Sequence, residues 1–362
     1  DGLLLGPVFA SASHGYDTLD HYRIDPRLGD RHDFAQLIGR AHGQGFPVVL
    51  DGVFNHLARE HEIVARAIAS GPGTADGDWI RWSDGYPFCF EGNEPLVELN
   101  LDNPAVADYI AEIMIFWLDN GLDGWRLDAA YAAGPKAWAP ILAAVRARHP
   151  DSWLLGEVLH GDYAEFVTAS GLDTVTQYEL WKAIWSALND ANLFELEWTL
   201  RRHDEMCRVF RPQTFIGNHD VTRILTRLED PRHLEIAVAL LMLLPGTPSI
   251  YYGDELGFVG EKLDAPGGDD AVRPAFPAEG AAGGDPAVFE TYRRFIALRR
   301  EHPWVADARV YTGHVTNTGM TIGLAGAGGE HLTLAVNLAD EELVVPGSRG
   351  ELRVAGHSVA VG

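Results

Sequence analysis

Cysteine is scarce in these 362 residues, with Cys89 and Cys207 the only two. Their scarcity excludes a disulfide framework, and neither has companions at zinc-ligand spacing. Two thiols fit a reducing compartment such as the cytoplasm, with a single bridge as the open alternative. Positive charge is also short: 28 Lys and Arg stand against 52 Asp and Glu, a formal net charge of −24. Such a surface repels phosphate backbones and anionic lipid, so nucleic acid and membrane are not expected partners, whereas a neutral ligand suits it. Long apolar runs are missing as well, none approaching the roughly 20 residues of a membrane-spanning helix. Hydrophobic residues at 46% and charged residues at 22% are those of an ordinary globular protein. A leader pattern is absent from DGLLLGPVF, residues 1 to 9, which reads as the middle of a strand and implies a unit upstream.

What is present is an alternation of short apolar runs with segments of helical period, the sequence form of a parallel sheet built from βα units. The runs are LLLGPV (3–8), PVVLDGV (47–53), GWRLD (124–128), WLLGEV (153–158), TVTQYE (174–179), TFIGNHD (214–220) and PSIYYGD (248–254). Helices are expected near 33–44, 105–120, 135–148, 231–244 and 286–300, with further helical segments after residues 158 and 179. A closed (β/α)8 TIM barrel needs eight such strands, so the first βα unit is expected before residue 1. Residues 57–103 are too long for a βα loop and read as an inserted subdomain, leaving 1–56 and 104–303 to the barrel. Past Trp304 the helical period gives way to alternating runs with glycine turns, which predict a C-terminal antiparallel β-sandwich domain over 304–362.

Two charges stand in GWRLDAAY (124–131), a segment that is otherwise a core strand. Side chains alternate along a strand, so Arg126 and Asp128 share one face. A buried ion pair would explain them, but three other strands also end in polar groups: Asp51, Asn55 and His56 after one, Glu157 after another, Asn218, His219 and Asp220 after a third. The carboxyl ends of barrel strands are where reacting groups gather. Two carboxylates in unlike protonation states serve glycoside hydrolysis, one attacking the anomeric carbon while the other protonates the leaving oxygen. Arg126 is expected to hold Asp128 as an anion, and the apolar strand before Glu157 to keep that residue protonated by desolvation.

DGVFNH (51–56), GWRLDAAY (124–131), GEVL (156–159) and FIGNHD (215–220) resemble, in order, four signature segments of the α-amylase family, glycoside hydrolase family 13. HGYDTLDHYRIDPRLG (14–29), LVELN (96–100) and YYGDELG (251–257) resemble its supporting segments, most nearly those of the cyclomaltodextrinase, neopullulanase and maltogenic amylase branch. The resemblance implies a retaining α-glucoside hydrolase acting on malto-oligosaccharides or related α-glucans, needing no cofactor. It makes Asp128 the nucleophile, Glu157 the general acid and base, and Asp220 the group that grips secondary hydroxyls. Arg126 would hold Asp128, with Asp51 behind the arginine. His56 and His219 would donate to sugar hydroxyls, Tyr16 would floor the sugar, and Arg273 resembles a substrate-side arginine. An α-glucan transglycosylase, a maltose or trehalose isomerase, and a non-catalytic carbohydrate-binding homologue are the alternatives.

Two departures bear on metal and substrate. Many relatives hold a structural calcium through the asparagine matching Asn55, but Tyr131 stands where a histidine often contributes, and six to eight oxygens cannot be assembled from the sequence. Leu159 occupies a position where tryptophan is frequent in enzymes of cyclodextrins and pullulan, leaving α-1,4 and mixed α-1,4 and α-1,6 preferences both open.

Overall fold

The computed structural model describes residues 2–265, 267–348 and 350–362. The chain forms two compact units, Asp1–Thr176 and Gln177–Gly362.

In the first unit, the strands Leu3–Leu5, Val48–Gly52, Gly124–Leu127, Trp153–Gly156 and Thr174–Val175 form a parallel sheet of five in sequence order. Val48–Gly52 and Gly124–Leu127 are buried at every position, as strands covered on both faces must be. Their register sets Asp51 beside Arg126, and Arg126 beside Leu155 of the next strand. Gly124 is required by closeness: a Cβ there would stand 2.2 Å from the Trp153 carbonyl oxygen. The crossover helix Arg31–Gly43 starts from a capping box on Asp30 and Asp33, and Pro104–Asp119 starts from an Asn103 cap with proline in its first turn. Phe9, Phe54, Trp117 and Trp125 form a buried aromatic layer with ring centroids 5.3 to 6.1 Å apart.

The strands are shorter than the sequence predicts. Trp153–Gly156 stops before Glu157, Thr174–Val175 gives way to a helix at Tyr178, and of PSIYYGD only Pro248 lies in a strand, Thr247–Pro248. Each run loses its ladder where polar residues replace apolar ones. Two elements were not legible. Phe9–Ser11 and Thr18–Ile24 pair as an antiparallel hairpin, and His56–Ala58 pairs antiparallel with Leu96–Glu98. Between those last strands lie the helix Glu62–Ser70 and the small hairpin Trp82–Ser83 with Tyr86–Pro87.

The second unit carries a parallel pair, Gln213–Thr214 with Thr247–Pro248. The parallel strands thus stand in ladders of five and two, not in one ring of eight, among the described residues. The helix Leu234–Leu243 is apolar nearly all round and buried. Arg309–Val315, Gly319–Ala325, His331–Asn337 and Ser358–Val361 form an antiparallel sheet. Strand alternation sorts its faces. Met320, Ile322, Leu324, Leu334 and Val336 join one core with Leu196, Leu240 and Leu243 of the helices. Ala335, on the opposite face, meets Val345 and Val354 of the hairpin Leu343–Gly347 with Gly350–Val354. The expected sandwich therefore has a two-stranded hairpin as its outer layer. No described helix is long and apolar enough to cross a membrane.

Candidate active site

Arg126 is the hub of the first unit's polar rim. Its Nη1 donates to both Asp51 oxygens at 2.8 and 2.7 Å and to Asp128 Oδ1 at 2.9 Å, while Nη2 lies 2.7 Å from Glu157 Oε1. All four residues are under 8% exposed. Three carboxylates around one guanidinium leave an excess of negative charge in a site with little water, so a proton is retained there readily. Burial pushes the Asp51 carboxyl up to about 6, with Arg126 pulling the other way.

The turn after the strand places Glu157 against Asp128. Ala129 takes a left-handed conformation, φ +47°, which is unfavourable for an L-residue and marks strain beside a functional group. Its amide thereby donates to Glu157 Oε2 at 2.9 Å, and the Glu157 amide donates to the Leu127 carbonyl at 2.9 Å. The expected contrast between a paired Asp128 and an isolated Glu157 needs correcting. The register that sets Leu155 beside Arg126 brings the next strand's end within reach of the same guanidinium, so both acids are charge-paired.

Tyr16 donates its hydroxyl to Asp51 Oδ2 at 3.1 Å, joining the same cluster. His56 is 1% exposed, stacked on Phe90 with centroids 4.5 Å apart, and its Nε2 lies 3.1 Å from the Tyr16 carbonyl oxygen. A carbonyl only accepts, so Nε2 carries the hydrogen, and burial holds the ring's pKa down to about 4. That contact ties the ring to the tyrosine's backbone, while its Nδ1 is buried without a hydrogen-bond partner. Tyr131 donates to Glu91 Oε1 at 2.6 Å, a contact that sequence reasoning missed.

In the second unit, Asp220 is clasped by two other expected site residues, His219 and Arg273. His219 Nε2 lies 3.1 Å from Oδ2, and Arg273 Nη2 donates to Oδ1 at 3.1 Å. Arg273 also donates through Nε to the His219 carbonyl at 3.0 Å and pairs with Asp269 at 2.8 Å. The Asp220 side chain keeps 38% of its surface, enough to meet a ligand. Beneath them lies Arg223, wholly buried, which sequence reasoning missed. It donates to the carbonyls of Tyr252 and Val272 and to Asp254 Oδ1, and stacks on Tyr251 at 4.1 Å. Burial pushes Asp254 up to about 7, and its Oδ2 has no hydrogen-bond partner. A Cβ on Gly217, at the start of GNHD, would stand 2.3 Å from that oxygen, so the loop bearing Asp220 rests directly on Asp254.

Asn55, the residue expected to help hold calcium, is 2% exposed, and its side chain hydrogen-bonds the Glu98 carboxyl, which burial pushes up. The one grouping of three or more His, Cys, Asp or Glu side chains at metal-binding spacing among the described residues lies elsewhere.

Comparison with known proteins identifies the family. The alpha-amylase catalytic-domain family matches residues 1–96 and 88–287. A cyclomaltodextrinase of a Bacillus species is 31% identical over 82% of this chain and 55% of its own length, and neopullulanase 2 of Thermoactinomyces vulgaris is 29% identical over 86% and 55%. The chain thus spans about half the length of these curated relatives. Among solved structures, the cyclic α-maltosyl-(1→6)-maltose hydrolase of Arthrobacter globiformis superposes with a TM-score of 0.87 at 23% identity, over 100% of this chain and 85% of that one. The debranching enzyme of Nostoc punctiforme gives 0.84 at 26% identity, over 99% and 85%. This chain belongs to the alpha-amylase family of glycoside hydrolases.

Proposed function

We propose that the chain is the catalytic part of a retaining hydrolase of malto-oligosaccharides or related α-glucans. One observation carries the reading: Asp128 and Glu157 are held by the two ends of one guanidinium, with Glu157 also fixed by the amide that follows Asp128. A retaining pair stands about 5 Å apart, a separation that such a shared clasp favours. Asp128, as the anion, attacks the anomeric carbon as the glycosidic C–O bond breaks, and Glu157, entering the reaction protonated, gives its proton to the departing oxygen. Water then attacks the glycosyl ester, Glu157 takes the water's proton, and Asp128 leaves as the anion. Two inversions give net retention. Asp220, clasped by His219 and Arg273, is assigned to the sugar's secondary hydroxyls by its place in FIGNHD.

Whole-chain likeness to family members of known structure supports the expected (β/α)8 fold, and Tyr16, bonded to Asp51, is read as a sugar floor. Hydrolysis of cyclic or linear maltodextrins is favoured by the names of the relatives, and transglycosylation shares the same intermediate. Proton NMR during cleavage of maltotriose tests the mechanism. The α anomer is expected first, and initial β anomer would overturn it.

A further inference from the structure

Asp230, His233 and His357 lie outside every segment used above, yet they offer ligand atoms that all fall within 4.8 Å of one another. Asp230 caps the short 3-10 turn Pro231–His233, accepting from the Arg232 amide at 3.0 Å. His233 ends that turn and is 6% exposed. His357 comes from the turn before the last strand, Ser358–Val361. Its backbone is held at φ +53°, a left-handed conformation costly for a residue with a side chain. The turn therefore carries strain that delivers this imidazole to the other two.

The atomic arrangement is that of a ligand set. His233 Nε2 and His357 Nδ1 are 3.1 Å apart, and His357 Nδ1 lies 3.6 Å from Asp230 Oδ2. Two ligands on one tetrahedral zinc, each near 2 Å from the ion, stand about 3.3 Å from each other. The second ring nitrogen of His357 meets Asp340 Oδ1 at 2.9 Å. A carboxylate behind a histidine is the usual outer partner of a metal-bound imidazole, fixing its tautomer so that the inner nitrogen presents a lone pair. The His357 side chain keeps 13% of its surface and Asp230 25%, so an ion can enter.

We propose that Asp230, His233 and His357 form a binding site for a divalent first-row transition ion, zinc foremost, with Asp340 orienting His357. Two imidazoles and one carboxylate suit zinc and its neighbours, whereas calcium and magnesium require oxygen throughout. The ion would tie the 230–233 turn to the turn before the last strand, a structural pin that uses none of the catalytic carboxylates. Arg232 opposes it, since its Nε and Nη2 also hold Asp230, at 3.0 and 2.6 Å.

The test uses the full chain, stripped with a chelator, dialysed and titrated with zinc chloride. About one zinc per chain should survive desalting, with a rise in melting temperature, and cobalt chloride should give the visible spectrum of a nitrogen-bound tetrahedral ion. His357→Ala and Asp230→Asn, both on partly exposed residues and so tolerant of change, should each weaken uptake at least about tenfold, Asp340→Asn less so. Arg232→Ala should tighten binding. Failure to retain zinc in the wild type, or uptake unchanged in His357→Ala, would overturn the proposal. The first result leaves a hydrogen-bonded histidine pair, and the second places the ion on other carboxylates. Neither touches the hydrolase reading, which rests on Asp128 and Glu157.

Discussion

Arg126 compensates three buried acids at once, so its removal has a cost that exceeds any one contact. Arg126→Met would leave Asp51, Asp128 and Glu157 facing one another without a cation. Breaking a buried pair costs about 3–5 kcal/mol, and urea unfolding should register a loss of that order together with loss of turnover. Asp128→Asn should abolish turnover without such destabilisation, because it relieves negative charge. Glu157→Gln should spare substrates whose leaving groups need little protonation, and equal losses on both substrate types would remove the acid role. Asp254 makes the pH prediction. Its folded pKa of about 7 lies above the ordinary carboxylate value, so the folded state binds the proton more tightly. The stability that the proton confers is full below about pH 4 and is lost as pH rises through 7. Asp254→Asn should flatten the stability curve across that window in denaturation at several pH values. Arg126 with Asp128 was legible because they stand two positions apart at the end of one strand. The Arg126 contact to Glu157 was not, because it depends on the register between strands, which no single run records.

At the level of elements, apolar runs located the first five parallel strands of the described residues and met the other two only at Thr214 and Pro248, and they overran the ladders because periodicity counts residues that leave the ladder to build the rim. The helices were more legible. Asn103 before Pro104, Gly134 before Pro135 and Asp285 before Pro286 mark their starts. The hairpin of Phe9–Ser11 with Thr18–Ile24 escaped notice because its register shifts twice, which spoils simple alternation. Close strand contact also leaves its mark in glycine. Gly124→Ala should destabilise by about 1–3 kcal/mol, since the clash at 2.2 Å is with the Trp153 backbone, which cannot rotate away. A shift in urea midpoint of less than a quarter of that size would show that the sheet yields there. Gly217→Ala meets a side-chain oxygen instead, so its effect should fall on kcat through the Asp220 loop.

The whole molecule bears a formal charge of −24, and its surface and its buried cluster respond differently to salt. Surface acids repel one another across distances comparable to the Debye length, about 10 Å at 0.1 M ionic strength. Added sodium chloride should therefore raise the melting temperature by screening that repulsion. The contacts of Arg126 with Asp51, Asp128 and Glu157 lie where mobile ions do not enter, and an uncharged maltodextrin gains nothing from long-range attraction. kcat/KM on maltotriose should accordingly vary less than about twofold between 0.05 and 0.5 M salt while the melting temperature climbs. A steep fall in kcat/KM over that range would mean that charge steers the substrate, and the inference from this acidic composition to a neutral ligand would fail with it.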